Sequence, residues 1–195
     1  MVSEKVPPFA VSVGGTLLPK PISGHPALEL CNTLAGWNEP PEHRREWLTT
    51  PEVLATWVEL TGLGPCPPVG HAVLDELREL RELAYRVLQY RDHTAFPRLA
   101  ELAEEANAQT RLTPTSGFRL PPGDDPRRPV LAAALTVADL LARPERDAVR
   151  ACPGEGCGWL FVDVRGRRTW CSMAACGNRV KVRAHAARRR ADRRP

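Results

Sequence analysis

Four of the six cysteines gather near the C-terminal end of this 195-residue chain, as two matched pairs: Cys152 with Cys157, and Cys171 with Cys176. The pattern reads C-x4-C-x13-C-x4-C. Closely spaced thiol pairs, joined by a hairpin-length insert that folds back on itself, are what a tetrahedral zinc ion requires. In a reducing compartment such a cluster indicates a metal site rather than a disulfide frame. Four thiolates fill the coordination shell and leave no position for water or substrate, so one zinc with a structural role is expected. A rubredoxin-like iron site would use two-residue knuckles, which this spacing does not have.

The second chemistry is cationic. Residues 150–195 hold 12 Lys and Arg against 3 Asp and Glu, a balance of +9, which leaves −5 on the rest of a chain whose net charge is +4. A mildly acidic body carrying a basic, cysteine-rich end points to an anionic partner for that end. The candidate nucleic-acid contacts are Arg165, Arg167 and Arg168 at a hairpin tip, and Arg179, Lys181, Arg183, Arg188, Arg189 and Arg190 along a helix. Guanidinium groups there can take phosphates, and a helix of this kind can enter a major groove. Arg168 and Arg179 are also near enough in sequence to the thiols to offset the −2 charge of a four-thiolate zinc centre.

Elsewhere the chemistry is sparse. Asn32 and Thr33 stand either as polar contacts of a ligand pocket or as side chains that satisfy backbone groups at a helix end. Cys31 sits among apolar residues as a small core residue, and Cys66 lies in a proline-rich loop. The five histidines are scattered without a paired-ligand motif. No nucleophile elbow, P-loop, dinucleotide fingerprint or HExxH is present, and the chain is not expected to be an enzyme.

The elements that position these residues follow from periodicity and punctuation. Val11 to Leu18 reads as a hairpin turned at Gly14-Gly15. Ala27 to Leu34 reads as an apolar helix, and Trp37 to Thr49 as a polar loop. A cleaner helix runs from a Thr50 cap through Pro51 to a Gly62 stop. Val69 to Arg91 forms the longest helix, with Val73, Leu77, Leu80, Ala84 and Val87 along one face. Helices follow at 94–108 and 130–141, with an extended stretch at 111–120 between them. Within the cysteine region, Gly158 to Asp163 has strand character, Arg165-Gly166 provides a turn, and Arg168 to Cys171 returns as a second strand. Arg179 to Arg190 reads as a helix, with Val180, Ala184 and Ala187 as a small stripe against the finger and Asn178 as a cap or loop-orienting residue. The expected fold is mainly α: a helical domain with a small β-hairpin element at 1–143, then a treble-clef-like four-cysteine finger at 144–195.

Cys176-Gly177-Asn178-Arg179, with Cys157-Gly-Trp-Leu-Phe-Val-Asp163 before it, resembles the CGNR zinc finger. Upstream, Gly24-His-Pro-Ala-Leu-Glu-Leu-Cys-Asn32-Thr33-Leu34 is similar to the LDFVNT segment of the ABATE domain that precedes this finger. Glu29, Leu30 and Cys31 replace the usual Asp, Phe and Val. The resemblance implies a bacterial regulator of transcription in the stress response.

The combined expectation is a DNA-binding regulator whose N-terminal domain senses a small ligand or holds a homodimer together. The alternative is a zinc-finger module that binds protein or RNA without sequence-specific DNA recognition, and a further rival makes the body the functional part and the finger an appendage. No apolar run approaches the roughly 18 residues of a membrane helix, and no signal peptide is recognisable. The expected location is cytoplasmic, at the nucleoid when bound to DNA.

Overall fold

The computed structural model describes residues 6–115 and 117–191. Among these are six α-helices and four two-stranded antiparallel sheets. Strands β1 (Ala10–Val13) and β2 (Thr16–Pro19) form the predicted hairpin. Gly14 and Gly15 turn it with φ of 55° and 85°, which side chains with a Cβ rarely adopt.

Helix α1 (Pro26–Cys31) begins as predicted but stops three residues short of Leu34. His25 caps it, its Nδ1 accepting from the Ala27 N–H at 3.2 Å. The early stop has a cause. Asn32 sends its side chain to a distant strand, Thr33 donates back to the Leu30 carbonyl at 2.7 Å, and the backbone turns extended. Leu34–Ala35 becomes β3 and pairs with β4 (Arg45–Glu46). The segment read as a polar loop therefore holds a strand and buries Trp37, Trp47 and Leu48.

Helix α2 (Pro51–Thr61) follows its sequence signals throughout. The Thr50 hydroxyl accepts from the Val53 N–H at 3.4 Å, and Gly62 ends the helix at φ 67°. Helix α3 (His71–Tyr90) buries the whole predicted stripe. One cation shares that face: Arg81, only 3% exposed, donates to both oxygens of Glu46 at 2.7 Å and to the Thr33 hydroxyl at 3.1 Å. Its spacing, four from Leu77 and three from Ala84, already puts it on the buried side. This bidentate pair anchors β4 to α3.

Helix α4 (Phe96–Ala108) leads to a hairpin of β5 (Arg111–Thr113) and β6 (Gly117–Arg119). The nearly all-apolar α5 (Arg128–Ala142) packs against α1, α3 and α4 and forms the centre of the body. Beyond a 3-10 turn at Pro144–Ala148, β7 (Val149–Ala151) pairs with β8 (Leu160–Val162). These strands lie against α3 and α1, so Trp159, Leu160 and Phe161 join the same apolar core as the helices. A π-turn at Met173–Gly177 runs into α6 (Asn178–Ala191). Among the described residues no helix is long and apolar enough to cross a membrane.

Candidate functional site

The first thiol pair sits in the loop between β7 and β8; of the second, Cys171 precedes the π-turn and Cys176 lies within it, where the Gly177 N–H reaches the Ser172 carbonyl at 3.1 Å. All four cysteines are buried and unbridged. Their sulfurs lie within 4.8 Å of one another, with Cys157–Cys171 at 3.7 Å and Cys171–Cys176 at 3.6 Å. A disulfide would bring sulfurs to about 2 Å. Tetrahedral ligands at about 2.3 Å from zinc stand about 3.8 Å apart. The cluster therefore has the dimensions of a zinc site and not of a bridge. All of the predicted metal ligands converge, and they hold one structural zinc.

Backbone and charge shape the site further. A Cβ on Gly154 would stand 3.0 Å from the Cys176 sulfur and 3.4 Å from that of Cys152, so a side chain there would press on the cluster. Hydrogen bonds from the other thiols, Cys152 first, and from Arg179 hold Cys176 well below the usual thiol range. Cys157 and Cys171 are pushed up by the same neighbours. Four like charges this close cannot coexist without a cation. Arg179 Nη2, 3.0 Å from the Cys176 sulfur, supplies one from outside the cluster, as expected.

The finger is fastened to the body by the segment 32–39. Gly36 and Trp37 donate backbone N–H groups to the Cys157 carbonyl at 2.9 and 3.1 Å, and the Asn38 amide donates to Gly154 O at 3.0 Å. The Trp159 indole donates to Leu34 O at 3.0 Å, and the Tyr85 hydroxyl to Gly158 O at 2.8 Å. Gly158, at φ 70°, lies so close to Trp37 that a Cβ would approach the Trp37 Cβ to 2.6 Å. Asn32 completes the seam. Its amide donates to the Leu160 carbonyl at 2.9 Å and its Oδ1 accepts the Leu160 N–H at 2.8 Å. The Val162 N–H goes to Ser23 O at 2.8 Å, and Ser23 is held by Glu29, whose carboxyl burial pushes above its ordinary range.

This seam corrects one expectation and bears on the two alternatives left open for Asn32 and Thr33. The far edge of β8, which was to receive a strand from Arg168–Cys171, is already covered by Asn32 and Ser23. The second strand does not form, and β8 pairs with β7 instead. Asp163 bends the intervening chain by accepting from the Arg167 and Arg168 N–H groups at 3.0 and 3.1 Å. Asn32 and Thr33, for their part, are fully buried with their polar atoms engaged inside the chain: Thr33 satisfies the Leu30 carbonyl at the helix end, whereas Asn32 satisfies the backbone of β8.

The nine candidate nucleic-acid contacts divide. Arg168 turns inward, donating to Cys171 O at 2.6 Å and Ile22 O at 3.1 Å and lying 4.5 Å over the Phe161 ring. It braces the loop before the second thiol pair and is only partly exposed. Arg168→Ala is expected to cost about 2–3 kcal/mol, the scale of lost hydrogen bonds to a charged group, measured by urea unfolding. It should leave the salt dependence of nucleic-acid retention unchanged. Arg183 pairs with Glu155 of the first knuckle. Arg165, Arg167, Lys181, Arg188 and Arg189 are exposed, and the Arg190 side chain lies outside the described residues.

The proposed apolar stripe of α6 does not dock. Val180 is 38% and Val182 68% exposed, and every described side chain from Asn178 to Arg189 faces solvent. Alanine-sized side chains bury too little to hold the helix down. Asn178 already has helical φ and ψ, −67° and −38°, so it continues the π-turn rather than capping α6.

A thiol-only tetrahedral cluster that launches a basic helix defines a zinc-finger protein. Residues 148–189 match the model of the CGNR zinc finger. Residues 24–144 match the ABATE model, described as "Putative stress-induced transcription regulator". The second match spans well over half of the sequence, and the chain belongs to the ABATE family. Among curated proteins, none matches it.

Proposed function

We propose that this protein is a DNA-binding regulator of transcription that presents α6 to duplex DNA. The observation that carries the reading is a helix, basic at Arg179, Lys181, Arg183, Arg188 and Arg189, whose described side chains are all exposed. At about 1.5 Å per residue its 14 residues extend about 21 Å, enough to lie in a major groove. The deep, narrow major groove of A-form RNA would exclude such a helix, which favours DNA over duplex RNA. Zinc holds the base of the helix, and with no open coordination position its role is architectural rather than catalytic. One helix neutralises few phosphates, so useful affinity calls for two copies on paired half-sites. The body supplies that pairing or the response to a small ligand, in the cytoplasm and at the nucleoid.

Fluorescence anisotropy with duplex DNA across a salt series tests the reading. Lys181→Ala and Arg188→Ala are each expected to weaken binding and reduce the slope of log K against log salt by about 0.9 for each phosphate no longer neutralised. Unchanged slopes in both variants would remove these residues of α6 from the interface, and retention of heparin and DNA on equal terms would reduce the interaction to charge alone.

A further inference from the structure

A cavity of about 190 Å³ opens beside the metal centre, between the finger and the segment that fastens it. The hole between four sulfurs less than 5 Å apart holds an ion and nothing larger. The cavity extends from it, walled by Phe9, Trp47 and Trp159, by His43, Arg45 and Arg179, and on the metal side by Cys157, Cys171 and Cys176. Phe9 stands edge-on to both indoles, at 6.2 Å from Trp47 and 6.4 Å from Trp159. Arg45 lies 4.9 Å over the Trp47 ring and has no carboxylate partner among the described residues. Apart from the metal-site thiolates, beside which Arg179 stands 3.0 Å from the Cys176 sulfur, the lining contains no acidic side chain. Trp47 is 5% exposed, yet its buried indole N–H has no hydrogen-bond acceptor. An orphaned buried donor costs about 1–3 kcal/mol, and an acceptor brought by a ligand would offset it.

The geometry points to a binding site for a single-ring aromatic carboxylate, with its ring among Phe9, Trp47 and Trp159 and its anionic end toward Arg45 and Arg179. The size agrees, since an apolar cavity of about 150 Å³ takes benzene. The chemistry agrees as well: aromatic walls, a cation without a carboxylate partner, and a donor without an acceptor. Asn32 and Thr33 take no part in this site. The inference deepens the ligand-sensing role proposed above and moves it from the interior of the helical body to the seam beside the finger.

The test uses the full zinc-loaded chain with indole N–H groups observed by ¹⁵N NMR. Benzoate is the probe, benzamide the uncharged control of the same shape, and acetate the charge without a ring. Benzoate at millimolar concentration should shift the Trp47 resonance saturably, and the two controls should not. Arg45→Glu, at an exposed position, should weaken binding about tenfold or more, the value of one charge-assisted hydrogen bond. Ala35→Leu, which fills the cavity without altering charge, should abolish the shift. No saturable shift with benzoate, equal response to benzamide, or undiminished binding in Arg45→Glu would overturn the assignment. Anisotropy on the same preparation separates the two readings. A chain that retains duplex DNA and ignores benzoate loses the cavity assignment alone, whereas one that takes benzoate without DNA affinity upholds it and removes the DNA reading.

Discussion

Cys171→Ser is expected to abolish stoichiometric zinc and, with it, both the finger and the DNA binding proposed for it. A hydroxyl cannot replace a thiolate in a soft four-sulfur shell, and structural zinc contributes about 10–16 kcal/mol to small fingers. The damage should reach the body. Trp159, Leu160 and Phe161 belong to the common core, and Tyr85 and Asn32 bond to the strand that carries them. Melting temperature should fall by about 10 °C or more, given about 2–4 °C per kcal/mol at this chain length. Far-UV circular dichroism should report the loss of α6. Elemental analysis is the deciding measurement: one zinc per chain in the purified variant would remove Cys171 from the metal shell.

Asn32→Leu is the second large effect. The substitution preserves the approximate volume but leaves the Leu160 N–H and C=O facing a hydrocarbon. At about 1–3 kcal/mol for each stranded group, the loss is about 2–6 kcal/mol, read from the midpoint of urea unfolding at unchanged slope. The experiment also distinguishes a seam residue from a ligand contact. Polar pocket residues are commonly tolerant of apolar substitution in the absence of ligand, so a destabilisation below about 1 kcal/mol would contradict the seam role.

What could be read from the chain depended on distance along it. The thiol spacing, the Thr50–Pro51–Gly62 punctuation of α2 and the stripe of α3 are local patterns, and each predicted its structure closely. The second finger strand failed because the groups occupying the edge of β8 lie 128 residues upstream of Leu160, at Asn32. Nothing in the spacing of Gly158 to Cys171 reveals that the edge is taken. Arg168 misled for a related reason: in composition it joins the basic tip, but Asp163 and Phe161 draw it inward. Trp37 and Trp47 were passed over because turn-forming prolines and charges surround them. Arg81 could have been found, since a cation on an otherwise apolar stripe calls for a buried partner. The resemblance to known families supplied what periodicity could not, namely the order of the two parts and their regulatory context.

The way segment 32–39 clasps the first knuckle determines how far this protein can be taken apart. An excised finger would carry away β8 with one edge bare and two large aromatic faces wetted, and it should aggregate rather than fold. Transplanting the finger onto another scaffold would succeed only if its cradle travelled with it. Evolution faces the same restriction: the finger cannot be shuffled freely among other bodies, and changes in one half have to be answered across the join.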